Sequence, residues 1–227
     1  MFTLDQIVPW GRSFDEYRRM FALSDDDLRA RILGCADGPA SFNADATRLG
    51  GQVISCDPLY RWTGAEIRGR IIATSDHVLE QTRLNAHEFV WDTVRSVEEL
   101  RQLRLEGMEV FLKDYEAGKR ESRYVEGEIQ MLPFADQNFD LAICSHFVFL
   151  YTSHLTEDFH KGAVLELCRV AAEVRVFPLL ALGGTLSAYV PGTLDDLRNR
   201  GYDVTIESVP YEFQRGGNEM MRIRRSG

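Results

Sequence analysis

The residues best suited to ligand chemistry lie in a turn of small residues after a short apolar run. Residues 32–42 read Ile-Leu-Gly-Cys-Ala-Asp-Gly-Pro-Ala-Ser-Phe. Glycines in such a turn let the backbone bend tightly, and they let a ligand approach the main chain where a side chain would block it. The helix expected after the turn offers free N–H groups to polar or anionic ligand atoms. Because this pattern also occurs without a ligand, a second feature is needed to support a binding site.

A carboxylate at the end of the next apolar run supplies that feature. Residues 53–57 read Val-Ile-Ser-Cys-Asp, so that Asp57 ends the run. The spacing between Gly34 and Asp57 along the chain is close to that in dinucleotide-binding folds, where roughly 20 residues separate the glycine turn from the ribose-binding acid. A carboxylate can accept hydrogen bonds from both hydroxyls of a ribose. The alternative is that Asp57 ends its strand by capping the following helix.

The elements that must position these residues alternate between apolar runs and helical segments. Runs that predict strands are 31–35, 52–57, 127–131, 139–145, 173–179, 203–208 and 219–224. Continuous apolar runs are typical of strands that helices cover on both faces. We therefore predict an α/β fold with a single doubly wound, seven-stranded, mostly parallel sheet, helices on both faces and an antiparallel last strand.

One domain over residues 1–227 accounts for the whole sequence, with N-terminal helices in 1–28. Residues 60–124 are dense in Glu, Arg, Leu and Gln, and they predict a helical insertion between strands 2 and 3 that exceeds an ordinary crossover connection. Its aromatic residues serve either as a lid over the strand ends or as a dimerisation surface; they include Phe89, Trp91, Phe111 and Tyr115. Both a monomer and a homodimer are consistent with the sequence.

Composition excludes several classes of partner. The net charge of −9 argues against general affinity for nucleic acid, because binding needs a cationic surface. No apolar run approaches the roughly 20 residues that span a bilayer, and the N-terminus lacks the pattern of a signal peptide. The four cysteines show no C-x-x-C spacing, which indicates reduced and buried thiols. These features predict a cytoplasmic protein with a small-molecule substrate and neither nucleic acid nor membrane as partner.

A third segment, 132–146, reads Leu-Pro-Phe-Ala-Asp-Gln-Asn-Phe-Asp-Leu-Ala-Ile-Cys-Ser-His. Together with the glycine turn and Asp57, it resembles the class I S-adenosylmethionine-dependent methyltransferases. In that family a Leu-Pro-Phe sequence and a polar bend lead into the fourth strand. The resemblance covers about residues 28–180 apart from the helical insertion. It implies a Rossmann-like fold, the cofactor S-adenosyl-L-methionine and methyl transfer to a small molecule.

The resemblance also implies cofactor-binding roles, position by position. It places the glycine turn at the methionine part of the cofactor, Asp57 at the ribose, the following residues at the adenine, and the end of strand 4 beside the methyl group. The implied cofactor-binding residues are Gly34, Cys35, Ala36, Asp37, Gly38, Asp57, Pro58, Leu59, Glu128, Ile129 and Ser145.

Two positions depart from the family pattern. Ile32 stands where the family usually has an acid, and Ala36 replaces the middle glycine. Asp37 is the candidate to replace the missing acid. These departures leave open a non-catalytic, cofactor-binding regulator with the same fold. An NAD(P)-dependent oxidoreductase is a further alternative, because a glycine turn and a ribose acid also serve that cofactor, although the Leu-Pro-Phe segment argues against it.

The candidate catalytic residue is His146, because it ends the fourth strand and imidazole titrates near neutrality. The alternative is a packing role within an apolar run. Candidate substrate contacts are Arg12, Tyr17, Tyr151 and His154. Arg12 is suited to either the cofactor carboxylate or a substrate acid, and the alternative is an ordinary surface arginine. The histidines near Cys144 match no standard zinc spacing, so no metal site is predicted.

Overall fold

A computed structural model describes residues 1–4 and 6–225 of the chain. Across these residues, seven strands form one sheet in the order β3-β2-β1-β4-β5-β7-β6. The strands are β1 Arg31–Cys35, β2 Gln52–Cys56, β3 Tyr124–Val125, β4 Phe139–Ser145, β5 Ala171–Phe177, β6 Tyr202–Ser208 and β7 Glu219–Arg225. Strands β1 to β5 pair in parallel, and β7 runs antiparallel to both β5 and β6. The predicted fold class is confirmed.

Six α-helices accompany the sheet in the same part of the chain. They are α1 Phe14–Met20, α2 Phe42–Arg48, α3 Gly64–Leu84, α4 Val97–Arg120, α5 Glu157–Val170 and α6 Val190–Asn199. Residues of the central strands point alternately into two cores. Leu33 and Ala142 pack with α5 and α6, whereas Ile32 and Ile143 pack with α1 and α2. Burial on both faces explains why these strands read as continuous apolar runs.

The pairing register brings the ends of three strands to one level. Cys35 at the end of β1 pairs with Cys56 of β2 on one side and with Cys144 of β4 on the other. The turns that follow β1, β2 and β4 therefore emerge side by side at the carboxyl edge of the sheet. In open α/β sheets this edge is where ligands bind.

The third strand differs from the sequence prediction of 127–131. β3 comprises only Tyr124 and Val125, which pair with Ser55 and Cys56 of β2, and the Tyr124 ring packs against Tyr60 and Phe111. Residues 128–131 instead form a tight turn, in which the N–H of Met131 donates to the carbonyl of Glu128 at 2.9 Å. Glu128 and Ile129 therefore lie outside the sheet, in a loop beside the strand ends.

The predicted helical insertion consists mainly of α3 and α4, which pack against each other between β2 and β3. Their shared apolar face, with Ile67 and Ile71 on α3 and Met108 and Phe111 on α4, covers Tyr60. Among residues 1–4 and 6–225, none of the helices combines the length and the apolar composition that crossing a membrane requires.

A buried ion pair ties this insertion to the N-terminal helix. Arg104 of α4 donates through both Nη atoms to Glu16 of α1, with Nη2 at 2.7 Å from Oε1, and the two side chains are 1% and 3% exposed. The hydroxyl of Tyr211 and the N–H of Ser13 also donate to this carboxylate, each at 2.9 Å. Burial raises the pKa of Glu16, but the charge and hydrogen bonds of Arg104 outweigh burial and lower it to about 2.

Replacing Arg104 tests how much this network stabilises the fold. Arg104→Met leaves the Glu16 carboxylate buried without its cation, so we expect the free energy of unfolding at pH 7 to fall by about 3–5 kcal/mol. Wild type should also lose stability as the pH falls from 4.5 towards 2, because protonation removes the paired carboxylate, and the variant should lose much less. Urea unfolding at pH 7 and at acid pH measures both effects.

The matched control is Arg101→Met, one turn earlier on the same helix. Arg101 pairs with Asp76 across the surface, where the two side chains are 54% and 82% exposed, so its loss should change stability by about 0–1 kcal/mol. Equal destabilisation by the two substitutions would contradict the special role of the buried pair.

Candidate functional site

A cavity of about 590 Å³ lies at the carboxyl edge of the sheet. Its floor is formed by the turns after β1, β2 and β4, through Ala36, Asp57 and His146 among others. Residues of the N-terminal segment close its other side, with Val8, Trp10 and Arg12 among them. The volume falls within the range of about 300–1,000 Å³ that is usual for small-molecule sites.

The glycine turn after β1 is shaped by the chain's own carboxylate. A Cβ atom added to Gly34 would lie 1.8 Å from Oδ2 of Asp37, so only glycine lets this carboxylate fold over the end of β1. Ala36 and Gly38 both have φ of +54°, in the left-handed region where a Cβ atom is disfavoured. A Cβ at Gly38 would meet nothing within 4 Å, which leaves open space above this part of the turn.

Asp37 is buried and acts as an acceptor for two hydroxyls. Tyr17 donates to Oδ1 at 2.9 Å, and Ser55 donates to Oδ2 at 2.7 Å. Burial raises the pKa of Asp37 to about 7, since these two hydrogen bonds offset only part of the lost hydration and the charge of Asp57 adds to the shift. Among the described residues no cation pairs with this carboxylate, which lines the cavity.

Asp57 joins the turns after β1 and β2. Its Oδ2 accepts from the N–H of Gly38 at 2.8 Å, and its Oδ1 accepts from the N–H of Leu59 at 2.7 Å, which caps the short 3-10 helix Pro58–Arg61. Burial raises the pKa of Asp57 to about 6. A carboxylate has about four acceptor positions, so capping leaves roughly two for a ligand. The capping and ligand-binding interpretations of Asp57 are thus compatible.

The remaining positions implied for the adenine end line the same cavity. Pro58 and Leu59 follow Asp57, while Glu128 and Ile129 come from the turn that replaced the predicted third strand. Ile129 is buried in the core, and Glu128 is exposed. This end of the cavity thus combines apolar surface with the carboxylates of Asp57 and Glu128.

At the end of β4, His146 is held in a constrained conformation. Its φ is +52°, its N–H donates to the carbonyl of Phe177 at 2.7 Å, and its Nδ1 lies 2.8 Å from Oγ of Ser145. Burial, followed by the charges of Arg12 and Arg104, holds the pKa of His146 well below its usual value. The imidazole that faces the cavity is therefore neutral at physiological pH.

The N-terminal segment reaches the cavity by crossing the glycine turn. A Cβ on Gly11 would lie 2.1 Å from the carbonyl oxygen of Pro39, so the two backbones are in direct contact there. This contact positions Arg12 in the cavity wall beside Tyr17. Closer to the N-terminus, the N–H of Val8 donates to the hydroxyl of Tyr151 at 3.4 Å.

Beyond these polar groups the cavity continues into a region that we call the apolar chamber, lined by Leu4, Val8, Trp10, Phe89, Leu182 and Phe213. The rings of Phe89 and Phe213 stack with their centroids 5.0 Å apart. Glu88 holds this region to the N-terminus, because both its carboxylate oxygens accept from the N–H of Phe2 at 3.0 Å.

Most, but not all, of the candidate residues from the sequence line the cavity. Gly34 and Cys35 are buried beneath the turn, and His154 is exposed outside the cavity. The other implied cofactor-binding residues line it, as do His146, Arg12, Tyr17 and Tyr151. Within the insertion, Phe89 lines the cavity, whereas Phe111 and Tyr115 pack in the separate cluster around Tyr60.

Sequence reasoning missed four residues of the apolar chamber outside the insertion. Leu4 and Val8 precede the first helix, and Leu182 and Phe213 follow β5 and β6, so only tertiary structure brings them together. It also missed Arg104, whose spacing along α4 gives no sign of a partner in α1. Across the described residues, no group of three or more His, Cys, Asp or Glu side chains is arranged to hold a metal ion.

Comparisons with known proteins give a consistent family. A family model described as a methyltransferase domain matches residues 103–173. The uncharacterized protein MJ0045 of Methanocaldococcus jannaschii is 33% identical over 224 residues, which is 98% of each sequence.

Solved structures with a similar fold include the mitomycin 7-O-methyltransferase MmcR, with a TM-score of 0.50 and 12% identity over 94% of this chain and 54% of MmcR. They also include magnesium protoporphyrin IX methyltransferase (ChlM) from Synechocystis PCC 6803 with bound SAH, with a TM-score of 0.49 and 10% identity over 94% of this chain and 82% of ChlM. At 12% identity, the likeness to MmcR concerns the fold alone.

The raised pKa of Asp37 predicts a pH-dependent cost to stability. The folded protein holds this proton up to a pKa of about 7, against 3.8 for an ordinary aspartate, so ionisation destabilises the folded state as the pH rises. Between pH 5 and pH 8, wild type should lose about 2–3 kcal/mol of stability relative to Asp37→Asn. Urea unfolding of both proteins at the two pH values measures this difference.

The matched control is Asp140→Asn, near the amino-terminal end of β4 and outside the cavity lining. Asp140 is half-exposed and pairs with Arg31, and this pairing lowers the pKa of Asp140, so its replacement should not add stability at pH 8. A pH-independent difference between wild type and Asp37→Asn would show that Asp37 is not protonated near neutrality.

Proposed function

This chain belongs to the class I S-adenosylmethionine-dependent methyltransferase family, and from that premise we propose that it transfers a methyl group to a small-molecule acceptor. The observation that carries this proposal is the shape of the cavity. One end carries the carboxylates at the ends of β1 and β2, and the other is the apolar chamber beneath the N-terminal segment. This lining supports a cavity that takes the cofactor at its polar end and a small acceptor in the apolar chamber.

The residues at the polar end fit S-adenosylmethionine. Asp57 has acceptor positions left for the ribose hydroxyls after its two backbone hydrogen bonds. Pro58, Leu59 and Ile129 supply apolar surface for the adenine. The buried Asp37 carboxylate has no cation among the described residues, and it suits the positively charged methionine end of the cofactor.

The structure offers a physical account of the missing acid at Ile32. Ile32 packs in the core with α1 and α2. A charged side chain at this position would be buried without a partner. The Asp37 carboxylate instead folds back over Gly34 to the end of the same strand. Relocation of the acid by a few residues favours a cofactor-binding site over a turn that has lost it.

S-adenosylmethionine, when bound, supplies a methyl group that is already activated for displacement, so the protein mainly positions the acceptor and excludes water. The N-terminal segment contributes to the exclusion of water, because it lines one side of the cavity and is held by contacts of Gly11, Val8 and Phe2.

We assign His146 as the residue that takes up a proton from an acceptor that carries one. When Nδ1–H donates to Oγ of Ser145, Nε2 is left free to accept, and the hydroxyl of Ser145 has Sδ of Met20 at 3.8 Å for its own proton. Its low pKa makes this imidazole a weak base, so it suits acceptors that need little assistance.

Calorimetry with S-adenosylhomocysteine and NAD tests the cofactor assignment. We expect S-adenosylhomocysteine to bind and NAD not to bind, whereas binding of NAD alone would refute the proposal. Asp57→Ala should weaken S-adenosylhomocysteine by about 100-fold or more, because two hydrogen bonds to a charged acceptor are lost. Asp57→Asn preserves the shape of the cap and should show an intermediate loss.

Asp140→Ala removes a carboxylate from the far edge of the sheet and should leave the affinity unchanged. Methyl transfer itself is measured with labelled S-adenosylmethionine and a small-molecule extract, and His146→Gln should slow incorporation into those acceptors that must lose a proton. Tight binding of S-adenosylhomocysteine without any labelled product across broad extracts would favour a non-catalytic regulator.

A further inference from the structure

The guanidinium of Arg12 lacks a charged partner in the described part of the chain. Nη1 donates to the carbonyl of Trp10 at 2.9 Å, whereas Nε is buried without a hydrogen-bond partner. Within residues 1–4 and 6–225, Nη2 makes no hydrogen bond and no carboxylate oxygen lies within 4.0 Å of this side chain. The edge that joins Nε to Nη2 is therefore free, and this edge binds a carboxylate through two parallel hydrogen bonds.

The nearby carboxylate cannot serve Arg12, because its oxygens are already occupied. Glu16 accepts from both Nη atoms of Arg104, from Tyr211 and from Ser13. The charges of Arg12 and Arg104 both lower the pKa of Glu16, so two positive charges lie near one negative charge beside the cavity. An anionic ligand would balance the excess charge.

The neutral His146 next to these arginines points to the same class of ligand. A neutral acceptor that must lose a proton would rely on an imidazole whose pKa burial and two arginines hold low. An acceptor that arrives as an anion has already lost its proton and needs no base.

The surface beyond Arg12 defines the rest of the ligand. The apolar chamber offers the stacked rings of Phe89 and Phe213 together with Leu4 and Val8, and Trp10 connects it to Arg12. Two other cations, Arg61 and Arg70, lie over the ring of Trp62 at the exposed rim instead. A single charged group at the entrance to apolar surface suits a molecule with one anionic group and a hydrophobic body.

We propose that the methyl acceptor is a small hydrophobic carboxylic acid, bound as its carboxylate by the free Nε–Nη2 edge of Arg12 with its body in the apolar chamber. A carboxylate oxygen would take the methyl group while the methyl–sulfur bond of the cofactor breaks, which gives a methyl ester and S-adenosylhomocysteine with no proton to remove. This rests on the proposed function. The only other carboxylate that the proposed function brings into the cavity belongs to the methionine part of the cofactor. The acceptor and the cofactor would each present a carboxylate to Arg12, so the experiment has one arm for each.

The acceptor arm compares acids with their own primary amides, which have nearly the same shape and no charge. Phenylacetate, indole-3-acetate and decanoate are titrated by calorimetry against phenylacetamide, indole-3-acetamide and decanamide, with and without S-adenosylhomocysteine. For wild type we expect at least one acid to bind at least tenfold more tightly than its amide. Arg12→Gln should reduce that acid to the level of the amide, and Arg12→Lys should retain part of the preference.

The cofactor arm compares S-adenosylhomocysteine with 5′-methylthioadenosine, which lacks the carboxylate. If Arg12 binds the acceptor, Arg12→Gln should change both affinities by less than about threefold. A loss of tenfold or more for S-adenosylhomocysteine alone would mean that Arg12 binds the cofactor carboxylate, and it would overturn the proposal.

Arg70→Gln is the matched control, since it removes a positive charge from the rim of the same cavity. Equal loss of the acid preference in Arg70→Gln and Arg12→Gln would reduce the effect to general attraction and overturn the proposal, as would an absence of acid preference in wild type. If S-adenosylhomocysteine fails to bind, the proposed function fails, whereas the titrations without it still decide whether Arg12 binds hydrophobic acids.

Discussion

The arrangement of the cavity depends on one buried carboxylate, that of Glu16. It accepts hydrogen bonds from α1's own cap, from α4 and from the connection between β6 and β7, which are three distant parts of the chain. Because a buried charge needs such partners, these elements must meet above the sheet. Their meeting places the N-terminal segment over the strand ends and, by using up Glu16, leaves Arg12 without a carboxylate.

Both carboxylates and guanidinium groups line the cavity, and this combination suits two ligands of opposite charge. Asp37, Asp57 and Glu128 lie in the loops at the strand ends, whereas Arg12 and the paired Arg104 come from the N-terminal segment and α4. In a region of low dielectric these charges act strongly on whatever binds. A cationic cofactor group and an anionic acceptor would each meet the favourable sign and would also attract each other.

How much the sequence could predict follows from how local each determinant is. Strands β1, β2 and β4 and the position of Asp57 follow from apolar runs and turn residues within a few positions, and the structure places them within one residue of the prediction. The prediction of the third strand at 127–131 was wrong: the strand lies at Tyr124, whose ring packs against Tyr60 and Phe111, and such packing between separate elements leaves no local pattern in the sequence. The free edge of Arg12 was beyond prediction, because it depends on Arg104 occupying Glu16, 88 residues away.

The strand ends also carry conformational costs that packing alone does not require. Ala36 after β1 and His146 after β4 both have positive φ, and Asp37 is buried without a cation among the described residues. Such costs persist only where the surrounding structure imposes them, and they concentrate at functional sites. All three residues line the same cavity, so a bound cation would relieve the charge of Asp37 while the fixed backbone holds the turn and the imidazole in place. These three costs thus lie where a bound ligand would contact the residues that carry them.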